Sequence, residues 1–148
     1  CDGDQNRGAV FQWNSASDLT WHFAEESTDL SDFTYLSLRA AQGTRHSLTT
    51  ELDGPLDFSI TLIDTLGIES TIWTGDIGQI TSPYPRTGLG GGSGWSNEFN
   101  TVRVRLAAFT DGTPSLDLRN IASIRLDFGG DSGSTIGRLG IDDLMLEY

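Results

Sequence analysis

The sequence contains almost no cysteine and no lysine, and these absences exclude several classes of protein. Cys1 is the single cysteine, so the chain can form neither an internal disulfide nor a cysteine-ligated metal site. All nine cationic residues are arginines, against 21 acidic residues, and the net charge is −12. Because proteins bind phosphate backbones through clustered cations, nucleic acid is not an expected partner. Cys1 opens a polar segment, residues 1–8, as either a boundary residue or a lipid-modified one.

Long apolar runs and helical periodicity are also missing. No run of about 18 apolar residues occurs, so no membrane-spanning segment is expected. Apolar residues do not recur at three- and four-residue spacing, which argues against amphipathic helices. The 18 glycines, together with many Ser, Thr, Asn and Asp residues, separate short segments in which every second residue is apolar. We therefore expect one domain, residues 1–148, built from short strands.

Nine segments are predicted as strands, and without helices they indicate an all-β antiparallel sandwich or barrel. Asp64-Thr-Leu-Gly67 is a good turn sequence, so Phe58–Thr74 is predicted to be a hairpin. The predicted strands are Ala9–Trp13, Leu19–Ala24, Tyr35–Ala41, Ser47–Leu52, Phe58–Asp64, Glu69–Thr74, Thr101–Leu106, Ile121–Phe128 and Leu139–Glu147.

One long segment, Gly75–Asn100, interrupts this pattern. It contains Pro83-Tyr-Pro-Arg86 and then a glycine-rich stretch that ends at Trp95. Unstructured loops of this length inside a compact domain are usually functional or mobile. The segment is therefore predicted to be a long inserted loop between strands.

The last predicted strand changes phase at two adjacent aspartates. The apolar residues that define the phase are Leu139 and Ile141 before the change and Leu144, Leu146 and Tyr148 after it. Such a slip predicts a β-bulge at Asp142 and Asp143. Carboxylates in a half-buried strand need a cation or hydrogen-bond donors, and calcium binds carboxylate and carbonyl oxygens. Asp142 and Asp143 are thus candidate calcium ligands; alternatively, one caps the bulge and the other is solvated.

Six segments carry a resemblance to a known family through their order and spacing: Trp21, 29–39, 57–67, 101–109, 116–128 and 141–144. Together they resemble the galactose-binding-like jelly roll, the fold of many carbohydrate-binding modules of secreted bacterial hydrolases. The resemblance covers roughly residues 19–148. It implies two antiparallel sheets and a structural calcium with an aspartate of the last strand as a ligand, Asp142 before Asp143. The usual acidic partner in the first strand has no counterpart in Val10-Phe-Gln-Trp13, and Asp2 and Asp4 are the nearest candidates.

Candidate ligand-binding residues are aromatic or cationic, because sugar rings pack on flat apolar faces and their polar groups need hydrogen-bonding partners. Trp13 and Trp21 have apolar neighbours two residues away and are expected in the core. Arg103 and Arg105 alternate with core residues and could grip an acidic polysaccharide, or pair with neighbouring carboxylates, as Arg125 could with Asp127. The candidates are Trp95, Tyr84, Trp73, Arg103 and Arg105. Alternatively, Trp95 and Tyr84 fold back and pin the long loop onto the sandwich.

The sequence contains no catalytic constellation, such as a nucleophile elbow, a phosphate loop or zinc-ligand spacing. The resemblance implies a non-catalytic module that binds a polysaccharide or glycan in an extracellular or cell-surface protein. An alternative is a structural or assembly module that packs against neighbouring domains of such a protein. A small polysaccharide-active enzyme is the third hypothesis.

Overall fold

The computed structural model describes residues 8–23, 28–44, 46–50, 54–86 and 94–148. Within them lie two four-stranded antiparallel sheets and a two-stranded ribbon. The helices are α1 (Ser47–Thr50) and α2 (Leu106–Gly112). The strands are β1 (Ala9–Trp13), β2 (Ser17–His22), β3 (Tyr35–Gln42), β4 (Ser59–Asp64), β5 (Glu69–Trp73), β6 (Tyr84–Pro85), β7 (Trp95–Ser96), β8 (Asn100–Arg105), β9 (Ile121–Phe128) and β10 (Gly137–Glu147).

The two sheets are built from strands that are distant in sequence. Sheet A has the strand order β1-β10-β3-β8, and sheet B has the order β2-β9-β4-β5. All pairs within both sheets are antiparallel. This confirms the predicted all-β antiparallel sandwich. Neither described helix has the length or the apolar character that crossing a bilayer requires.

The core lies between the two sheets and follows from the alternation of apolar residues. Val102 and Val104 of β8 are buried, and so are Ile124, Leu126 and Phe128 of β9. Because successive strand residues point to opposite faces, their neighbours point outward. Each fully buried apolar side chain contributes about 1.5–3 kcal/mol of transfer free energy, so these positions hold the two sheets together.

Aromatic rings fill one part of this core. The centroid of the Phe128 ring lies 4.7 Å from the centroids of the Phe11 and Trp13 rings and 5.4 Å from that of the Phe58 ring. The Trp13 indole N–H donates to the carbonyl of Ser134 at 2.7 Å, so its polar atom is satisfied. The core position expected for Trp13 is confirmed, and Trp21 is partly buried and packs against the core.

The predicted hairpin is confirmed as β4 paired with β5. Asp64 organises the turn, because its carboxylate accepts the backbone N–H groups of Leu66 and Ile68, each at 2.9 Å. Gly67 has a φ of 78°, a conformation that side chains disfavour. The Asp64 side chain therefore stabilises the turn, because it accepts hydrogen bonds from backbone N–H groups that a backbone carbonyl would otherwise accept.

Two segments predicted as strand or as connection are helical. Ser47–Thr50, the described part of the predicted strand Ser47–Leu52, is a single helical turn, α1. After β8 the chain enters α2, where Leu106 and Phe109 are both buried. Three-residue spacing places them on one helical face, which a two-residue pattern does not reveal. The expectation of a helix-free chain was therefore wrong.

The segment predicted as an unstructured loop, Gly75–Asn100, contains regular structure. Ile80 forms an isolated bridge with Leu56, and β6 and β7 pair as a short ribbon. Arg86 N–H donates to the carbonyl of Gly94 at 2.8 Å and closes that ribbon. Residues 87–93 lie outside the described residues, as do residues 1–7 of the polar N-terminal segment and Ala24 of a predicted strand.

The predicted bulge is confirmed. The register between β10 and β3 shifts between Asp142 and Met145. Asp143 has a φ of 50°, and no other non-glycine residue in the described ranges has a positive φ. The bulge returns Leu144 and Leu146 to the core side, where both pack against the buried cluster.

Candidate functional site

The outward-pointing side chains of sheet A form a surface that we call the arginine face. Four of the chain's nine arginines lie here, although the chain as a whole has a net charge of −12. Phe99 precedes β8 and continues the outward phase of that strand. The members of the arginine face are Val10, Gln12, Tyr35, Ser37, Arg39, Ala41, Phe99, Thr101, Arg103, Arg105, Arg138, Gly140, Asp142, Met145 and Glu147.

A strip of small and apolar residues crosses the arginine face. The register aligns Val10 of β1 with Gly140 of β10, and Gly140 with Ala41 of β3. Phe99 extends this row by phase, because Asn100 pairs with Ala40. Val10 is 66% exposed and Phe99 is 49% exposed, whereas Ala41 between them is only 4% exposed. Such a strip suits the C–H face of a sugar ring, which packs on apolar surface.

Arg39 lies beside the strip and is held by two contacts. Its guanidinium carbon lies 4.9 Å from the centroid of the Phe99 ring, a cation–π distance. Its Nη1 lies 3.3 Å from Oδ2 of Asp143. The bulge therefore aims Asp143 at Arg39, and this pair places a hydrogen-bond donor next to an exposed aromatic ring.

Arg103 is held by a more extensive set of contacts at the other end of the face. Its guanidinium carbon lies 3.8 Å from the centroid of the Tyr35 ring, and its Nη2 lies 2.7 Å from Oε2 of Glu147. Glu147 also accepts the hydroxyl hydrogen of Ser37. The Ser37 hydroxyl, followed by Arg103, holds the pKa of the Glu147 carboxyl below its ordinary value. Glu147 is therefore charged at neutral pH, as its partner requires.

Arg105 and Arg138 differ from these two arginines in their surroundings. Arg105 is exposed at the end of β8, and within the described ranges no carboxylate pairs with it. Arg138 is partly buried beside Gly43, and its Nε is buried without a hydrogen-bond partner among the described residues. Arg105 therefore keeps exposed donors that the described residues do not use, whereas the unused Nε of Arg138 is shielded from solvent.

The aromatic residues predicted in the long loop lie on the ribbon. Tyr84 pairs with Ser96, and Pro85 pairs with Trp95, so Tyr84 and Trp95 point to opposite faces of the ribbon. The Tyr84 hydroxyl donates to Glu98 at 3.0 Å, and this hydrogen bond raises the pKa of the phenol above its usual range. Trp95 is 41% exposed. Asn97, which follows β7 directly, donates to the carbonyl of Gln42 and so connects this end of the ribbon to β3 of sheet A.

Trp73 lies on the opposite side of the molecule. It ends β5 and points outward from sheet B, directly across from Ser59 of β4. Its side chain is 43% exposed, and its ring lies against Gly75, where a Cβ would approach Cζ2 of the ring to 2.4 Å. The structure therefore brings Arg103 and Arg105 together on one face and separates Trp73 from them.

The outward-pointing side chains of sheet B form a second surface, the network face. Arg125 donates to both carboxylate oxygens of Glu69, at 3.0 and 2.8 Å, and to Asp127 at 2.7 Å. Thr61 donates to the other oxygen of Asp127 at 2.7 Å and contacts the Thr71 hydroxyl at 2.8 Å. The bond from Arg125 lowers the pKa of Glu69, and the same bonds raise the pKa of Arg125. The pairing expected between Arg125 and Asp127 is confirmed.

The predicted calcium ligands are both engaged by other groups. Oδ1 of Asp142 accepts the backbone N–H of Asp143 at 2.9 Å, and Asp143 pairs with Arg39. Calcium takes six to eight oxygen ligands, and the described ranges contain no cluster of three or more metal-ligating side chains. These two aspartates therefore do not make a complete calcium site with the described residues. Asp2 and Asp4 lie outside those residues, and the calcium site stays a prediction.

Sequence reasoning missed Phe99 and the contribution of β1 and β10. The signal for Phe99 was available, because Phe99, Thr101, Arg103 and Arg105 share one phase. The strip through Val10, Gly140 and Ala41 was not available, since it depends on the register between strands that are far apart in the chain.

No protein-family model matches the sequence, and no curated protein sequence matches it. A solved carbohydrate-binding module has a similar fold. This CBM28 module, specific for non-crystalline cellulose, is 12% identical with a TM-score of 0.53, over 100% of this chain and 77% of that chain. A second match, a family 11 module from Clostridium thermocellum in complex with a β-1,3-1,4-mixed-linked tetrasaccharide, is 14% identical with a TM-score of 0.48, over 99% and 91%.

At 12% identity, the likeness to the CBM28 module shows the fold and not the ligand. The expected jelly-roll sandwich is confirmed, and its ligand is a separate question that the surfaces of the sheets address. The described residues form a jelly-roll β-sandwich of the kind found in carbohydrate-binding modules.

Proposed function

We propose that this domain is a non-catalytic module that binds a polysaccharide along the arginine face. The observation that carries the proposal is the contrast between the two sheet surfaces. The arginine face presents exposed apolar side chains, among them Val10 and Phe99, and the exposed Arg105, which pairs with no carboxylate of the described residues. The polar groups of the network face bind mainly one another. A sugar polymer needs apolar contact with adjacent hydrogen-bond donors, and the arginine face provides both.

The fold supports this proposal without deciding it. The CBM28 module of similar fold is described as specific for non-crystalline cellulose, which makes a cellulose preparation a sensible first probe. Phe99 is the aromatic residue of the arginine face that is best placed for a sugar ring, because Arg39 lies beside it with hydrogen-bond donors. We also propose an extracellular or cell-surface location, as the resemblance seen in the sequence implies.

Affinity electrophoresis in gels that contain soluble polysaccharides tests the proposal. We expect retardation of the unaltered domain and a loss of about tenfold in affinity for Phe99→Ala, which corresponds to about 1.4 kcal/mol. Trp73→Ala is the matched control, because Trp73 is a similarly exposed aromatic residue on the other sheet. Equal losses for both variants, or no retardation by any polysaccharide, would contradict the proposal.

Absence of catalysis has its own assay. The domain is incubated with the polysaccharides that retard it, and new reducing ends or unsaturated products are measured over time. We expect none above the level of a heat-denatured sample. Turnover that scales with protein concentration would overturn the non-catalytic assignment while leaving the binding surface in place.

A further inference from the structure

We propose that the arginine face selects polysaccharides that carry carboxylate groups over neutral polysaccharides with the same backbone. This inference rests on the proposed function, because it names the class of ligand for the same surface. Its basis is the number and placement of the arginines in a chain that is otherwise strongly acidic.

The charges of the arginine face are not balanced in the same way as those of the network face. Asp143 pairs with Arg39 and Glu147 pairs with Arg103, whereas Asp142 binds the backbone N–H of Asp143. Within the described part of the chain, this leaves Arg105 and Arg138 without an ion pair. A planar guanidinium binds a carboxylate through two parallel hydrogen bonds, so such a group on a binding surface favours an acidic ligand.

The two unpaired arginines lie at opposite ends of the arginine face. Arg105 is level with Tyr35, at the start of β3, and Arg138 lies beside Gly43, just past the end of β3. Eight residues of strand separate these levels, or about 25 Å at the usual rise per residue. The apolar strip with Phe99 lies between them. A polymer lying along β3 would therefore contact a cation, then apolar surface, then a second cation.

Arg103 adds a second guanidinium near Arg105. The two residues are two positions apart on one strand, so their Cα atoms are about 7 Å apart. Arg103 is fixed by Tyr35 and Glu147, whereas Arg105 extends from the edge strand of the sheet. This end of the face thus combines an ordered cation with an accessible one, and it is the expected site of carboxylate contact.

The overall charge of the chain opposes nonspecific attraction to a polyanion. With a net charge of −12, the domain is repelled at long range by an acidic polymer. Retention by such a polymer would therefore require local contacts that exceed this repulsion. Preferential retention by the acidic member of a matched pair is a stringent sign of specific recognition.

The test compares carboxymethylcellulose with hydroxyethylcellulose, which share a β-1,4-glucan backbone and differ in the carboxylate. Affinity electrophoresis of the whole chain is run in gels that contain each polymer, with a nonbinding acidic protein as the mobility reference. We expect about tenfold tighter retention by carboxymethylcellulose. Equal retention by both polymers would overturn the acidic preference and leave polysaccharide binding intact. Failure of every polysaccharide to retard the domain would overturn both.

Two variants assign the preference to the arginine face. Arg105→Ala is expected to weaken retention by carboxymethylcellulose roughly three- to tenfold, and to weaken retention by hydroxyethylcellulose by a clearly smaller factor. Arg119→Ala removes the same charge from an exposed turn before β9 of sheet B and is the matched control. Equal effects of the two variants on carboxymethylcellulose would show that net charge, and not the arginine face, controls retention, and would contradict the proposal.

Discussion

The two sheets of this sandwich have outer surfaces built from the same strand alternation, yet their polar groups are used differently. On the network face, Arg125 joins Glu69 and Asp127, and Thr61 joins Asp127 and Thr71. On the arginine face, Arg39 and Arg103 each pair with a carboxylate and stack on an exposed or half-buried ring. The polar side chains on the outer surface of a sheet can thus hydrogen-bond mainly to one another, as on the network face. We propose that the arginine face instead keeps hydrogen-bond donors and apolar area accessible to a ligand.

Cross-strand register explains how the network face satisfies itself. Thr20, Arg125, Thr61 and Thr71 lie in one row across all four strands of sheet B. Opposed side chains in adjacent strands are close enough to hydrogen-bond, as Thr61 and Thr71 do, and Asp127 joins Thr61 to Arg125. One row of the arginine face instead contains Val10, Gly140 and Ala41, which have no polar side-chain atoms. We therefore expect a ligand to bind to the arginine face, whose apolar side chains and arginine donors are less fully engaged by other residues of the chain.

The largest expected effect concerns the bulge at the edge of the arginine face. If calcium binds the folded state at Asp142 and Asp143, calcium at a hundred times its dissociation constant raises the free energy of unfolding by about 2.7 kcal/mol. The measurement is thermal unfolding with calcium and with EDTA, and Asp142→Asn should abolish the rise. An unchanged midpoint would contradict the calcium hypothesis and leave these carboxylates with the Arg39 and backbone contacts described above.

The next prediction compares how much one arginine of each face contributes to the free energy of unfolding. Arg125→Ala removes the shared partner of Glu69 and Asp127 and is expected to cost about 1–2 kcal/mol in the free energy of unfolding. Arg105→Ala removes an exposed, unpaired arginine and is expected to change it by less than about 0.5 kcal/mol. Urea unfolding of both variants gives the comparison. Equal costs would show that the arginine face is as internally paired as the network face.

The left-handed backbone of Asp143 gives a smaller effect. Asp143→Ala removes the carboxylate that pairs with Arg39, and it leaves at a φ of 50° a side chain that cannot hydrogen-bond to the nearby backbone. We expect a cost of about 1 kcal/mol in the free energy of unfolding. Asp143→Gly also removes the carboxylate but relieves the backbone, so it should cost less than the alanine variant. Chemical unfolding measures both costs. A larger cost for glycine than for alanine would contradict the role assigned to the backbone.

The smallest effect is a dependence of stability on pH in the network face. Arg125 lowers the folded-state pKa of Glu69, so the stabilisation is present above the unfolded pKa of about 4.3 and is lost as pH falls through the folded pKa. Because Glu69 is largely exposed, Glu69→Gln should cost only a few tenths of a kcal/mol at pH 7. The difference should shrink as the pH falls and vanish once Glu69 is protonated in the folded state. A difference that grows with acidity would have the wrong sign.

Local patterns in the sequence were sufficient to predict most of the sandwich. The alternation of Val102 and Val104 identified β8, and the phase change at Asp142-Asp143 identified the bulge. The helix α2 was missed because Leu106 continues the alternation of β8, and Phe109 is the helix's only other buried residue. Such short segments carry too few repeats for a three-residue period to be distinguished from a two-residue one.

The candidate site was less accessible to sequence reasoning than the fold. Arg103 and Arg105 were identified because alternation along one strand shows which residues point outward. Their partners were not, because Glu147 meets Arg103 only through the register of β10, β3 and β8. Trp73 was grouped with the other aromatic candidates because a pattern along one strand does not tell which sheet that strand joins. Long-range pairing decides that assignment, and the pairing of β4 with β5 and β9 places Trp73 on sheet B.

The most direct test of the central claim is a map of amide chemical shifts during titration with a soluble polysaccharide that retards the domain in gels. We predict shifts concentrated in β3, β8 and β10 around Arg39, Phe99 and Arg105, with little change in β4, β5 and β9. Shifts concentrated in β4, β5 and β9 around Trp73 and Arg125 would contradict the assignment of binding to the arginine face.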